Sequence, residues 1–238
     1  MRRFKPLALV LFAVFALGAV VAASAFAARG EKTPEITPIG LFTDNSAPGT
    51  EPALIGKGIF KATGEVKCKD APSTGGFQTS LLGTFKVLFL GCLVSEVLLL
   101  LCTGLSATQT SAVETVGTFH LRYLNSEKKV AVIAYLIQPV HFTCVNGSTK
   151  ILIEVRGCAA GPVGPINTPV KLPNFLQNTL KKVAGTTRNE VTRIENEAGN
   201  GEETCALESH EGTGSYAASA EEITDNIYPL SATAEIIT

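Results

Sequence analysis

The chain has 238 residues, with 20 Lys and Arg against 21 Asp and Glu and a formal net charge of −1 at pH 7. That length suits one main domain with a sizeable core, and so small a charge argues against nucleic acid as a partner. Charge is unevenly placed: residues 53–158 carry ten basic and six acidic side chains, whereas residues 185–238 carry two and eleven.

The first 27 residues have the pattern of an export signal. Arg2, Arg3 and Lys5 precede the uncharged run Leu7–Ala23, and Ala25–Ala27 has the small-x-small form that signal peptidase recognises. We expect cleavage after Ala27 and export of the remainder to the cell envelope or medium. The run also approaches the roughly 20 apolar residues that span a bilayer, so an uncleaved membrane anchor is the alternative.

Residues 28–52 are predicted to be a lead-in to the domain, because Pro34, Pro38, Pro48 and Pro52 stand among polar residues. Such a segment favours extended chain or short edge strands. Residues 53–238 are predicted to form a single β-rich domain.

Period-two alternation of apolar and polar residues marks several windows as strands. It is clearest in Val113–Tyr123 and recurs in Phe60–Cys68 and Ile151–Val155, while Lys129–Val145 is apolar on both faces. The last window is therefore placed in the middle of the fold. The predicted fold class is all-β, an antiparallel sandwich or a barrel-like domain.

A hairpin is predicted at Asn146-Gly147. This dipeptide supplies the two positive φ angles of a type I′ turn. It would join a strand over Lys129–Val145 to a strand over Ser148–Cys158.

Residues Val87–Leu105 form the most apolar window after the signal, interrupted by Ser95 and Glu96. A membrane-spanning helix and a pair of strands are the two alternative structures for this window, and the flanking β pattern favours the strands. A disulfide between Cys92 and Cys102 would exclude a straight helix, because ten residues at about 1.5 Å each place the Cα atoms ~15 Å apart.

An even number of cysteines in an exported chain predicts up to three disulfides, with buried free thiols as the alternative. The predicted hairpin carries Cys158 ~30 Å from Cys144, so those two should not pair. Cys92–Cys102 is then the expected local bridge, which leaves Cys68 and Cys205 to be shared between Cys144 and Cys158. The disulfide candidates are Cys68, Cys92, Cys102, Cys144, Cys158 and Cys205.

Five short motifs occur in a fixed order: Gly64–Cys68, Phe89–Cys92, Leu101–Thr103, Phe142–Cys144 and Val155–Gly157. In this order the chain resembles a group of exported actinobacterial-type proteins that carry no assigned function. The resemblance covers roughly residues 64–158. It implies an exported β-rich fold and brings no catalytic or binding residues with it.

No catalytic, cofactor-binding or metal site is predicted. His120, His141 and His210 are far apart in the sequence and form no zinc motif, so each is expected at the surface or in packing. Residues Gly212–Tyr216 lack the pattern of a nucleophile elbow. The segment Gly161–Pro165 lacks the lysine of a phosphate loop.

Acidic residues offer two further hypotheses. The pairs Glu202-Glu203 and Glu221-Glu222 could flank a glycosidic bond, a reaction that depends on a carboxyl separation unknown at this stage. The segment 188–211 is rich in Glu, Asn and Gly and is predicted to be a solvated loop, since it lacks the spacing of a calcium loop.

These observations favour a non-catalytic exported protein of the cell envelope or medium, with a binding or structural role. Its expected partner is an envelope component or a glycan, with membrane contact only through the signal segment. The alternatives are an extracellular hydrolase whose site assembles only in three dimensions and a membrane-anchored envelope protein.

Overall fold

A computed structural model describes residues 33–46, 52–57, 63–94, 100–105, 110–124, 129–171, 176–196, 201–229 and 233–238. Residues 33–238 form one compact unit. The predicted signal peptide, residues 1–27, lies outside the described residues, and so does its alternative as an anchor. Both stay predictions.

Every strand pairing in the described part of the chain is antiparallel, and the all-β prediction is confirmed. The first ten strands are β1 Glu35–Thr37, β2 Leu41–Ser46, β3 Ala53–Lys57, β4 Thr63–Lys67, β5 Ser73–Phe77, β6 Leu82–Leu90, β7 Leu93–Val94, β8 Leu100–Gly104, β9 Ala112–Leu124 and β10 Lys129–Leu136. The others are β11 Val140–Asn146, β12 Thr149–Gly164, β13 Val170–Lys171, β14 Leu176–Leu180, β15 Arg193–Glu195, β16 Glu202–Thr204, β17 Leu207–Glu211, β18 Ala217–Pro229 and β19 Thr233–Ile237.

The strands close into two barrel-like rings of eight. The first ring runs β10, β9, β6, β5, β2, β18, β14, β12, and it closes because β12 also pairs with β10. The second runs β12, β11, β8, β7, β4, β3, β18, β17, and it closes because β17 pairs with both β18 and β12. The long strands β12 and β18 belong to both rings, which are thereby joined end to end.

Strand β12 passes from one ring to the other at Gly157. Its residues up to Val155 pair with β11, and those from Cys158 onward pair with β10. Gly157 has a φ of +105°, and a Cβ there would lie 2.1 Å from the carbonyl oxygen of Ala206. Only glycine fits this bend.

Strand β9 confirms the alternation predicted for Val113–Tyr123: Phe119, Leu121 and Tyr123 are buried between half-exposed polar residues. In β10 both faces are buried, as expected for a central strand. Val130 and Val132 face the core of the first ring. Ala131 and Ile133 face away from that core and are buried against Ile194 of β15.

The prediction of one strand over Lys129–Val145 is wrong. The segment forms β10 and β11, separated at residues 137–139. Pro139 has no amide hydrogen to continue a ladder, and Ile137 is 65% exposed at the break.

The hairpin between β11 and β12 is confirmed, but its predicted turn type is wrong. Asn146 pairs with Thr149, so the two turn residues are Gly147 and Ser148. Of these only Gly147 has a positive φ, +57°. That pattern belongs to a type II′ turn, which needs glycine at the first central position.

The predicted lead-in, residues 28–52, already contributes to the domain. β1 pairs with β19, and β2 lies between β5 and β18 inside the first ring. The reason is burial, since Ile36 and Phe42 pack into the core of that ring. The strand β2 is therefore not an edge strand.

The acidic segment 188–211 is not a simple loop. It contains the β15–β16 hairpin and all of β17. Ile194 on β15 is fully buried against Ala131 and Ile133 of β10, which fixes the hairpin to the outside of the first ring.

Strands also account for the described part of Val87–Leu105, with β6, β7 and β8 there and residues 95–99 outside the described ranges. The strand interpretation is confirmed to that extent. Within the described residues, no helix has the length and apolar character needed to cross a membrane.

Three disulfides join the six cysteines: Cys68–Cys92, Cys102–Cys144 and Cys158–Cys205. The expected Cys92–Cys102 bridge is wrong, because β8 aligns Cys102 with Cys144 of β11, at a Cα separation of 3.9 Å. Cys144 does not pair with Cys158, as predicted, and Cys158–Cys205 was one of the open possibilities. Three intramolecular disulfides are compatible with an extracytoplasmic location.

Candidate functional site

A cavity of about 160 Å³, partly open to solvent, lies where the two rings meet. Both rings contribute to its walls, which are mainly aromatic and aliphatic. Prominent lining residues are Phe42, Phe77 and Phe119 from the first ring and Val66, Phe142 and Val155 from the second. An engineered apolar cavity of about this size holds benzene, so the space suits a small organic molecule.

Three phenylalanines form the aromatic wall. The ring centroids of Phe77 and Phe119 are 4.5 Å apart, and Phe42 lies 5.4 Å from Phe119 and 6.0 Å from Phe77. Their edge-on and tilted contacts are favourable geometries for aromatic pairs. The wall is therefore held by contacts among its own members.

Glycines on neighbouring strands leave room for these rings. A Cβ on Gly83 would lie 2.1 Å from the ring of Phe119, and a Cβ on Gly117 would lie 2.4 Å from the ring of Phe85. Each ring thus lies against bare backbone, and a larger residue beneath it would displace it.

Replacing Gly83 by Ala should lower the free energy of unfolding by about 1–3 kcal/mol, the usual cost of overpacking a core. The added methyl group would also meet the carbonyl oxygen of Gly76 at 2.4 Å. Urea denaturation is the measurement. Gly40→Ala is the control, because nothing lies within 4 Å of its added Cβ, and equal stability of the two variants would contradict the tight contact.

The cavity also has polar lining residues, namely Ser73 of β5, Thr115 of β9 and three residues on the neighbouring strands β14 and β18. Asn178 of β14 is paired with Asp225 of β18, and Glu221 precedes Asp225 by four residues on the same strand. In a strand that spacing places both carboxyl groups on one face. Ile223 and Ile227 occupy the same face, so the acids interrupt an apolar row.

Glu221 is a partly buried acid without a counter-ion among the described residues. No hydrogen bond or ion pair to its carboxyl group is found there, whereas its backbone is held by Asn189. Its side chain keeps intermediate exposure because it borders the cavity. Burial raises the pKa of Glu221 from its ordinary 4.5 to about 7.

Asn178 adds a second unsatisfied group. It is 7% exposed, and its Oδ1 is buried without a hydrogen-bond partner among the described residues. A Cβ on Gly161 would lie 2.8 Å from this oxygen, so glycine at 161 gives the amide its space. A buried acceptor left unpaired costs about 1–3 kcal/mol, which a suitable ligand can recover.

A separate polar cluster lies on the outer face of the second ring. The register of β11, β12 and β17 places His141, Glu154 and His210 side by side. The Nε2 atoms of His141 and His210 lie 3.0 and 3.3 Å from Oε2 of Glu154, and the Tyr216 hydroxyl donates a hydrogen bond to Oε1. We call these four residues the outer cluster.

Charges in the outer cluster favour the ionised acid. The hydrogen bond from Tyr216 is the main reason that the pKa of Glu154 lies below its usual value, and the two imidazoles add to it against partial desolvation. The same hydrogen bond raises the pKa of Tyr216. Arg156 lies over the Tyr216 ring, 3.5 Å from its centroid, and pairs with Glu208 at 2.9 Å.

The histidines and carboxylate pairs considered in the sequence, where no site was predicted, are only partly brought together. His141 and His210 converge, whereas His120 packs against Tyr135 with ring centroids 5.1 Å apart. Alternation along β18 turns Glu221 inward and Glu222 outward. The carboxyl groups of the other acidic pair also have separate partners: Glu202 forms an ion pair with Arg193, and Glu203 accepts a hydrogen bond from Tyr135.

Two serines on the neighbouring strands β17 and β18 do not belong to the outer cluster. Ser209 and Ser219 are buried and hydrogen-bonded to each other, and alternation places Ser209 on the opposite face of β17 from His210. Among the described residues, no three His, Cys, Asp or Glu side chains are placed to hold a metal ion.

No protein-family model, curated protein or solved structure matches the chain. Function is therefore inferred from the cavity and the outer cluster. Sequence reasoning missed Asn178 and Tyr216 as site residues, and it considered Glu221 only as one half of a carboxylate pair with Glu222. The period-two row of Glu221, Ile223, Asp225 and Ile227 was the available signal, since it places two acids on an apolar face.

Proposed function

We propose that the protein is an exported, non-catalytic binding protein of the cell envelope or medium that holds a small, mainly apolar molecule in the cavity between its rings. The observation that carries the proposal is a cavity of about 160 Å³ walled by phenylalanine and aliphatic side chains from both rings. Ligand sites are typically concave and apolar with a few polar groups, which is the composition of these walls.

Eight-stranded closed sheets have interiors that side chains fill or that hold one small ligand. Here the glycines beneath Phe85 and Phe119 keep those rings against the wall and leave the centre open. A glycan fits these mainly apolar walls less well than an apolar molecule does. An envelope component or glycan could still contact the outer surface.

Ligand-dependent stabilisation tests this function. Toluene at 100 times its Kd should stabilise the purified, oxidised protein by about 2.7 kcal/mol, seen as a higher melting temperature. Ala134→Leu should abolish the effect, because Ala134 lines the cavity and a larger side chain would fill it.

Ala218→Leu is the matched control for this experiment, since Ala218 is exposed on β18 and does not line the cavity. Ala134→Val is a milder substitution to use if the leucine variant fails to fold. An unchanged melting temperature with toluene, indole, naphthalene and decanol would overturn the proposal.

A hydrolase remains the second candidate, supported by the convergence of His141, His210 and Glu154 on the outer face. A carboxylate that orients an imidazole is a recurrent arrangement for general base catalysis. Esterase, peptidase and glycosidase assays test it. The hydrolase would be favoured if His141→Gln or His210→Gln lowered the turnover rate by 10²–10⁴-fold and left the melting temperature unchanged.

A further inference from the structure

We infer that the cavity selects a small organic amine, with an apolar body against the phenylalanine wall and an ammonium group at Glu221. This inference rests on the proposed binding function and names the ligand class of that same site. Its basis is the chemistry of the groups that the cavity walls present to a ligand.

The first step concerns hydrogen-bonding character. On the cavity wall, the Glu221 carboxyl and Oδ1 of Asn178 lack partners among the described residues, and both are acceptors when the acid is ionised. The hydroxyls of Ser73 and Thr115, which can donate or accept, line the same cavity. A ligand that satisfies the two acceptors must bring N–H or O–H donors. A carboxylate or phosphate ligand would leave them unpaired and would meet like charge.

The second step concerns charge. The other ionisable side chain on the described cavity wall is Asp225, also an acid, and no lysine, arginine or histidine lines the described cavity. Among the described residues, the Glu221 carboxyl group therefore has no protein cation beside it. An ionised carboxyl in such surroundings is costly unless a cation accompanies it, and a ligand ammonium group supplies that cation.

The third step concerns the aromatic wall. Phe42, Phe77 and Phe119 border the same cavity as Glu221. Aromatic rings pack against the apolar body of a ligand, and their faces also attract organic cations. The cavity volume limits the ligand to about the size of a monocyclic aromatic compound.

Benzylamine, benzyl alcohol, toluene and benzoate are matched probes of this selectivity. At pH 8 we expect the wild-type protein to bind benzylamine at least tenfold more tightly than benzyl alcohol, and to bind benzoate most weakly. Glu221→Gln should lose at least tenfold in benzylamine affinity and keep its affinity for toluene. Isothermal titration calorimetry gives these constants.

Glu222→Gln is the control, since Glu222 is on the same strand, faces outward and pairs with Lys182 at 3.7 Å. It should bind all four probes as the wild type does. Benzylamine affinity should also fall below pH 7 in the wild type and in Glu222→Gln, and stay level in Glu221→Gln, because protonation of Glu221 removes the counter-ion.

The outcomes separate the two proposals. Toluene binding with no preference for benzylamine would overturn the amine inference and leave the binding function standing. Preference for benzyl alcohol or benzoate, or an amine preference that persists in Glu221→Gln, would also overturn it. Failure of every probe to bind would overturn both.

Discussion

Replacing Cys102 and Cys144 together by Ala should lower the free energy of unfolding by about 4 kcal/mol. The bridge closes a loop with a sequence separation of 42 residues, and the chain-entropy model assigns that stabilisation to a loop of this length. Both cysteines are also fully buried in the core of the second ring. Denaturation in urea, fitted to a two-state transition, is the measurement.

Leu101→Ala with Val145→Ala is the matched double variant. These residues form the next register pair on the same two strands, and they are 47% and 40% exposed on the other face. Surface substitutions usually change stability by about 0.5 kcal/mol or less each. A loss below about 1 kcal/mol for the cysteine variant, or a peptide map that joins Cys92 to Cys102, would contradict the assignment.

Between pH 4.5 and pH 7, the free energy of unfolding of the wild-type protein should fall by about 3 kcal/mol more than that of Glu221→Gln. The pKa of Glu221 is about 7 in the folded chain against an ordinary value of 4.5. The folded state therefore holds this proton more tightly than the unfolded state. The stabilisation is complete below pH 4.5 and is lost as the pH rises through 7, at about 1.36 kcal/mol per pKa unit.

Urea denaturation at pH 4.5, 5.5, 6.5 and 7.5 measures this difference. Glu222→Gln should follow the wild-type curve, because Glu222 faces outward. Glu154 has the opposite effect, because its lowered pKa makes stability fall toward acid pH. All three proteins contain Glu154, so its contribution cancels when their curves are compared. Parallel curves for wild type and Glu221→Gln would mean that Glu221 is not held in an apolar surrounding.

Strands with a regular period could be predicted from the sequence because alternation reports burial directly. β9 and the described part of Phe60–Cys68 followed that rule, and so did both faces of β10. The break at Pro139 was visible in the sequence but was outweighed by the continuous apolar pattern on either side. The hairpin was located correctly, and its turn type depended on one residue of register.

Cysteine pairing could not be deduced, because it depends on which strands lie side by side. Cys92 and Cys102 are near in sequence and hydrogen-bonded through their backbones, yet their side chains reach other strands. The same limit applies to the outer cluster. His141, Glu154 and His210 come from three strands and meet only through register.

The cavity was hidden for a different reason. Glu221 stands next to Glu222 in the sequence and resembled a carboxylate pair, although a strand directs neighbours to opposite faces. Its burial follows from the closure of two rings around β18. Ring closure pairs strands that are far apart in the chain, so no short stretch of sequence predicts it.

The interleaving of the two rings bears on how this chain reaches its native state. Strands of the first ring, such as β2, β5 and β6, alternate along the chain with strands of the second, such as β3, β4 and β7. No single cut separates the rings into fragments, and most pairings join distant residues. Folding rates fall as the sequence separation of contacts grows. We therefore expect the chain to fold slowly, with the two rings forming together. The backbone amides of β12 and β18, the strands that both rings share, should be the last to exchange their hydrogens.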